Sequence, residues 1–501
     1  MGNLERFDQT SMRLRYNTLL YVPVFLVPAV VNVLMLMWFT RLFAPHIYGN
    51  YTLVVNTTII ISSLLSQWIS LSVHRFRPEY KRDGLIWRLD SHLSRLLWLM
   101  IVGVILFSIW GYVFLKHVIG PYRMYYWSAV LSIISAIVFT ICGSVYQIDL
   151  KTKEYRNLYV WQSFLKLPLI FVWFMVAPVN PIAFIVVPAI LQLIFSIPMM
   201  NYIKFIESFC TIFKDWRLFF DFVLGWVRYG FPLIGWYIGT TVLNLTDRYM
   251  MEYFRTSREV GIYSANFTIA VQSLALVCNP LFFAIQSLTM NEATHVRQDE
   301  IERRIREYTR LYVMIVVPFG GYFSVFRTEV STILLGKEFS QGASAIPILI
   351  IGFFFWNLAL YGQLCYQIVQ KTNVMFYFVA IAAFVNFTAN VYLIPTLGTN
   401  GAALATSFSF LLYACLLYFA SFRYMRWRVP WASLWKCGGI AIGLGLLLEK
   451  WRIVISHTAS GFVGMGTGIF YFFFYMLFLF VLKEWHVPSF ISGQRFISRG
   501  G

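Results

Sequence analysis

Lys166 stands about ten residues into an apolar stretch, within the run Gln162-Ser163-Phe164-Leu165-Lys166-Leu167-Pro168. A lysine near the centre of a membrane-crossing helix costs about 2.5–3.5 kcal/mol on insertion scales, so it needs water or an acidic partner. Its ammonium could anchor an anionic group; the alternative is a lysine that snorkels to the cytoplasmic face or pairs with a buried acid. Pro168 loosens the helix beside it and can turn carbonyls toward a cavity. Asp247 and Arg248 lie in another apolar stretch. Asp247 could accept a coupling proton or sodium ion, and Arg248 could meet phosphate with paired N–H donors; both could equally lock a bundle. Consecutive helical residues point roughly 100° apart, which predicts that these two do not face each other and makes Glu252 a candidate partner of Arg248. His74, Arg75 and Arg77 follow a third apolar stretch and could receive an anionic head group, although a basic cytoplasmic end needs no further role.

Uncharged polar residues form two stripes. Ser63, Gln67, Ser70 and His74 recur at steps of 4, 3 and 4, and Gln272, Asn279 and Gln286 at steps of 7. Lipid cannot satisfy these groups, so each stripe must face other helices or water. A shift of 212 residues pairs Gln67 with Asn279 and His74 with Gln286, and aligns Gly49-Asn50-Tyr51 with Gly261-Ile262-Tyr263. Equivalent stripes in two halves point to a shared central cavity, as in transporters built from repeats.

The elements that position these residues are about fourteen apolar stretches near 20 residues long, from Tyr16 almost to the end. Each can cross a hydrocarbon core of roughly 30 Å as a helix. The composition, 59% hydrophobic and 12% charged, agrees with an all-α integral membrane protein. The expected organisation is an N-terminal six-helix lobe over 1–202 and a cytoplasmic interfacial linker helix over 203–228, then a C-terminal six-helix lobe over 229–422 and two further helices with a tail over 423–501. The stretch at 309–334 is interrupted by Gly320, Gly321 and Arg327, and Asn291–Arg310 carries Glu300–Arg304, Glu302–Arg306 and Arg303–Glu307 at helical spacing.

The net charge of +18 is a matter of topology rather than nucleic-acid binding. With the N-terminus inside, 29 of the 40 Lys and Arg fall in cytoplasmic segments, which places both termini in the cytoplasm and requires an even number of spans. Membrane lipids are the partners that this charge attracts. The six cysteines stand singly, so neither a metal site nor a disulfide framework is expected. No cofactor is expected, and no catalytic residue: there is no phosphate-binding glycine loop, no carboxylate pair within a span and no outer loop large enough for a catalytic domain.

The chain resembles the polysaccharide (O-antigen type) flippases of the multidrug/oligosaccharidyl-lipid/polysaccharide exporter superfamily. The matching stretches are Arg41-Leu42-Phe43-Ala44-Pro45 leading to Tyr48-Gly49-Asn50-Tyr51, then Arg75-Phe76-Arg77-Pro78-Glu79-Tyr80. They continue with Tyr229-Gly230-Phe231-Pro232-Leu233, Asn244-Leu245-Thr246-Asp247-Arg248-Tyr249, Val260-Gly261-Ile262-Tyr263-Ser264 and Gly398-Thr399-Asn400-Gly401-Ala402-Ala403-Leu404-Ala405-Thr406. The glycines at 49, 261, 398 and 401 suit tight turns, and Gly401 also suits close helix approach. The resemblance implies two six-span bundles around a cavity and transport of a polyprenyl-pyrophosphate-linked oligosaccharide across a bacterial cytoplasmic (inner) membrane, with other polysaccharide assembly proteins as partners. The alternatives are a drug exporter or cell-wall lipid flippase of the same superfamily, a polysaccharide polymerase or transferase, and a membrane scaffold of a synthesis complex.

Overall fold

A computed structural model describes residues 23–24, 26–115, 120–207, 216–293, 296–455, 462–482 and 484. Every regular element among them is helical. In chain order the α-helices are α1 (Leu26–Leu42), α2 (Pro45–Arg82), α3 (Ile86–Leu115), α4 (Tyr126–Ile148), α5 (Thr152–Phe164), α6 (Lys166–Val176), α7 (Ala183–Tyr202), α8 (Trp216–Phe254), α9 (Ser257–Glu292), α10 (Gln298–Val325), α11 (Arg327–Leu334), α12 (Ala345–Ile368), α13 (Thr372–Leu397), α14 (Thr399–Ser421), α15 (Trp431–Ile455) and α16 (Phe462–Val481).

Ten helices, α5 with α6 forming one of them, are long and apolar enough to cross a membrane; α10 and α11, bent by 78° at Phe326, make an eleventh if joined. That bend falls where the sequence placed its interruption. Leu26–Leu42 and Gly468–Val481 are apolar but shorter, so by length and composition the described residues give ten or eleven spans against the fourteen expected.

The chain divides into two compact units, Met1–Leu245 and Thr246–Gly501. In the first, α4 lies between α2 and α7. Ile69, Val73, Leu93, Leu97, Ile137, Ile141 and Val145 fill the core. The first half of α8 joins this unit. Trp226 stacks on Phe76, the Ser72 hydroxyl donates to the Trp226 carbonyl at 3.2 Å, and a Cβ on Gly230 would stand 2.5 Å from the Trp68 carbonyl oxygen. The structure therefore differs from the expected linker: Trp216–Arg228 is continuous with the following span, because Phe219 and Trp226 are buried against protein. Residues 208–215 of that expected helix lie outside the described residues.

In the second unit α12 packs on α9 and α14, α13 on α14, and α15 on α10. The connection after α14 is pinned by Trp427, whose ring covers Gly362; a Cβ there would meet Cε3 at 2.6 Å. Glu302 was expected to pair with Arg306 on the helix surface. Instead it is buried and holds the same connection, accepting from the Arg426 N–H at 3.0 Å and from Arg428 Nε at 3.2 Å. Glu300 does make its helical pair with Arg304, at 3.2 Å.

Each unit contains the same local device. Tyr146-Gln147-Ile148-Asp149-Leu150-Lys151-Thr152 ends α4, and Tyr366-Gln367-Ile368-Val369-Gln370-Lys371-Thr372 ends α12. In both, the residue before the lysine is left-handed (Leu150 φ 57°, Gln370 φ 56°), and the lysine N–H returns to the tyrosine carbonyl at 3.0 and 2.9 Å. Both tyrosine hydroxyls donate to a backbone carbonyl near the end of a later helix, Pro198 in α7 and Leu417 in α14. Gly401 fills its expected role, since a Cβ would stand 2.1 Å from the Leu393 carbonyl oxygen; Gly398 has φ 57°. Gly49 and Gly261 are the fifth residues of α2 and α9, inside the helices rather than in tight turns. The five described cysteines are free thiols, and Cys210 lies outside the described residues.

Candidate functional site

Lys166 opens α6 directly after a local irregularity in the span that α5 and α6 form together. Leu165 stays right-handed helical but with ψ opened to −11° between α5 and α6, and Pro168 has no N–H to give the Phe164 carbonyl. The Lys166 side chain is half-buried and makes no hydrogen bond or ion pair with another described residue. Its neighbours on α6 are apolar, with Ile170 fully buried. A half-buried cation inside a span without a carboxylate among the described residues is an unfavourable way to build a bundle, and it is chemically competent to hold an anion.

The other candidates of the first unit lie along α2. Gln67 is half-buried and has no hydrogen bond to a described residue; His74 and Arg75 are exposed, Arg75 pairing with Glu79 at 2.8 Å. Arg77 points the other way. It is 1% exposed, its Nε and Nη2 donate to Asp149 Oδ2 at 3.0 and 2.8 Å, and its Nη1 donates to Asp90. Its donors are committed inside the unit, which corrects the expectation that it meets a substrate head group. No hydrogen bond or ion pair among the described residues joins Lys166 to Gln67, His74, Arg75 or Arg77.

Asp149 and Asp90 went unnoticed in the sequence. Around them Tyr202 donates to Asp149 Oδ2 at 3.0 Å, Lys81 stands 3.6 Å from Oδ1, and the Lys151 ammonium sits 3.5 Å over the Tyr202 ring. Burial pushes the Asp149 carboxyl up, but the Arg77 hydrogen bonds and charge, with Tyr202 and Lys81, outweigh it and hold the group below the usual carboxylate value. The repeated Tyr-Gln-Ile-x-x-Lys-Thr was the available signal that this turn is built to a plan; nothing marked Asp149 as the partner of Arg77.

In the second unit Asp247 and Arg248 are buried and do meet, contrary to the helical-phase expectation. Asp247 Oδ1 folds back to accept from the Arg248 N–H at 2.8 Å and from Nη1 at 3.3 Å. Backbone phase separates Cβ directions, but a short carboxylate and a long guanidinium stem can curl together. Oδ2 accepts from the Tyr263 hydroxyl at 2.5 Å and faces Thr406 Oγ1 at 3.4 Å, while the guanidinium lies 4.1 Å over the Phe267 ring. Glu252, the other candidate partner, accepts from Ser257 at 2.7 Å.

The polar stripe of α9 is not part of this cluster. Gln272, Asn279 and Gln286 lie roughly 100–140° around the helix from Phe267. All three are half-buried. Gln286 donates to Gln367 at 3.3 Å, whereas Gln272 and Asn279 make no hydrogen bond to a described residue. A second unforeseen cluster fixes the C-terminal helices: Glu484 accepts from Arg310 at 2.6 Å, Ser433 at 2.8 Å and Lys436 at 2.8 Å. Burial pushes its carboxyl up, but Lys436, Ser433 and Arg310 together hold it below the usual value.

No family model matches the chain. An uncharacterised membrane protein of Methanocaldococcus jannaschii is 24% identical over 186 residues, which span 36% of this chain and 36% of that protein. Among solved structures, the lipid II flippase MurJ in an inward closed conformation superposes with a TM-score of 0.67 at 13% identity, covering 94% of this chain and 99% of that one. An outward-facing multidrug resistance MATE family transporter of the MOP superfamily gives 0.57 at 12% identity, over 82% of this chain and 94% of that one. A MOP superfamily transporter from Pyrococcus furiosus gives 0.58 at 12% identity, over the same shares of 82% and 94%. At these identities the likeness establishes a shared all-α fold and no more.

Proposed function

We propose that the chain is a flippase for a lipid-linked oligosaccharide, carried on a polyprenyl pyrophosphate, and that it moves this substrate across the cytoplasmic membrane by alternating access. The observation that carries this reading is Lys166, a half-buried cation inside a span with no acidic partner among the described residues. A bundle selected for stability alone would gain by replacing it with an aliphatic residue. An anionic head group in transit supplies the missing charge for as long as it passes, and the lysine is kept for that moment.

Gln67, Gln272 and Asn279 support the same reading, because half-exposed amides without described partners suit sugar hydroxyls and water. His74 and Arg75, exposed at the basic end of α2, would meet the head group first, Arg75 in exchange for its surface pair with Glu79. The fold shared with a lipid II flippase makes the transport of a lipid-linked substrate the natural use of such a charge. Asp247 is the acid through which a proton or sodium gradient would act, and Arg248 is the group that such an ion would displace.

The test is reconstitution of the full chain in vesicles with a fluorescent lipid-linked oligosaccharide whose sugar is destroyed by an added reagent only when it faces outward. The proposal expects protein-dependent loss of protection, abolished by Lys166→Ala. Transport of amphipathic cations with no movement of the lipid-linked sugar would transfer the reading to a drug exporter.

A further inference from the structure

Next to Lys166 the first unit carries a groove between α6 and α7. It encloses 390 Å³, within the roughly 300–1,000 Å³ of small-ligand sites. Its walls are Leu169, Val172 and Trp173 from α6 and Val187, Ile190 and Leu191 from α7, closed by Val176 and Ala177. Seven of these eight residues are aliphatic and the eighth is tryptophan, so the walls carry no charged side chain and no side-chain polar atom other than the Trp173 indole nitrogen. From Leu169 to Val176 it runs about 10 Å along α6, at 1.5 Å per residue. Leu191 and Val187 form a buried floor, while Val172 and Ile190 are open at the rim, 50% and 41% exposed. The opposite side of α6 is occupied: Phe174 packs edge-on against Trp38 of α1, with ring centroids 5.5 Å apart.

Lys166 stands one helical turn from Leu169, at the edge of the same stripe. A groove on a lipid-facing surface is ordinarily filled by bulk acyl chains. The lysine changes that expectation, because bulk phospholipid head groups stay at the interface, roughly 15 Å from the midplane of a 30 Å hydrocarbon core. A ligand that satisfies both features must present an anionic head at the depth of Lys166 and a hydrocarbon chain that leaves it along α6. A phospholipid at rest in either leaflet does not; a long-chain lipid phosphate in transit does.

We propose that the α6–α7 groove holds the hydrocarbon chain of the lipid-linked substrate while Lys166 holds its phosphate, so that the two together form one amphipathic site. The assignment rests on the flippase reading above and adds to it the place of the lipid chain. The chain gains burial against Leu169, Val187 and Leu191, at about 0.8 kcal/mol per buried methylene, which a cation alone cannot provide. The cation in turn selects an anionic lipid over a neutral one.

The full-length protein in phosphatidylethanolamine–phosphatidylglycerol vesicles is photolabelled with a polyprenyl phosphate carrying a diazirine on its chain. Labelling is expected on the peptides that bear Val172 and Ile190, with unlabelled polyprenyl phosphate competing about tenfold better than polyprenol. In Lys166→Ala that preference disappears while labelling remains. Filling the groove with Val172→Trp, or with the milder Val172→Met and Ile190→Met pair, lowers labelling and flipping together at an unchanged melting temperature. Labelling that added phosphatidylglycerol suppresses as well as polyprenyl phosphate does would mean bulk lipid only and would overturn the site. Normal flipping in the filled variants would overturn it too, while leaving the flippase reading intact. Wild-type protein that moves no lipid-linked sugar removes the flippase reading itself.

Discussion

Arg77 meets Asp149 through two nitrogens that converge on a single oxygen, Nε at 3.0 Å and Nη2 at 2.8 Å from Oδ2, and it spends its remaining arm on Asp90. The guanidinium is 1% and the Asp149 carboxylate 3% exposed, so neither has water to fall back on. This joins the end of α2 to the turn after α4 and to the start of α3. Breaking a buried pair by removing one partner costs about 3–5 kcal/mol. Arg77→Ala and Asp149→Asn should each destabilise the detergent-solubilised protein by a free energy of that order, read as a lower thermal midpoint, and the double variant by less than the sum. Additive losses in that double-mutant cycle would show that the two groups act independently.

The same pair gives the protein an acid limit. The folded Asp149 carboxyl lies below its ordinary value of about 3.9, so its contribution is complete above that value and is lost as pH falls through the folded one. Wild-type stability should therefore drop on acidification below about pH 4, where a carboxylate of ordinary pKa protonates. Asp149→Asn, already lacking the charge, should show a shallower decline over that window. Parallel pH profiles of melting temperature for the two proteins would refute the assignment.

Lys166 separates function from stability in the opposite sense. Its insertion cost of about 2.5–3.5 kcal/mol is removed in Lys166→Met, which should therefore fold and accumulate at least as well as wild type. Flipping of the lipid-linked sugar should fall by about tenfold or more, the loss of one charge-assisted contact to phosphate. Lys166→Arg, which keeps the charge, should retain part of the activity. A Lys166→Met protein that is both unstable and active would place the lysine in a structural role.

Much of this was legible because the bilayer restricts what a chain can do. Apolar length alone located nearly every described helix, and Gly320, Gly321 and Arg327 marked the region of the α10–α11 bend. Continuity was harder to read: Phe219, Phe222 and Trp226 suit a lipid interface as well as a protein one, so nothing in 203–228 revealed that its second half extends α8. Pairing within one helix was legible at Glu300 and Arg304, but pairing between distant segments was not. Arg77 finds Asp149 across 72 residues, and Glu302 turns inward to Arg428 instead of along its own helix. Leu150 and Gln370 take the left-handed region without the glycine that usually announces it, and only the repeated seven-residue turn betrays them.

Gly362 tests how the connection after α14 is held. A Cβ at this position would stand 2.6 Å from Trp427 Cε3, and the ring is 1% exposed, so it has little room to retreat. Overpacking of this kind costs about 1–3 kcal/mol. Gly362→Ala should lower the thermal midpoint accordingly and quicken proteolysis between Arg423 and Arg428. Unchanged cleavage and stability would mean that the Trp427 pocket yields freely.

Asp247 is the group through which the proposed transport would draw on an ion gradient. Its carboxylate is occupied on both oxygens, by the Arg248 N–H and Nη1 on one side and by Tyr263 and Thr406 on the other. A proton or sodium ion bound there must compete with the guanidinium, so coupling requires Arg248 to leave. Arg248→Gln removes the competitor and keeps some hydrogen-bonding capacity. If Asp247 is the coupling group, flipping in this variant should reach half-saturation at about tenfold lower proton or sodium concentration, the displaced ion pair being worth about 1.4 kcal/mol. Asp247→Asn should flip at a rate indifferent to either gradient. Gradient-independent flipping by the wild type would instead leave Asp247 and Arg248 as a buried lock between α8, α9 and α14, and Asp247→Asn would then register as lost stability with its transport rate unchanged.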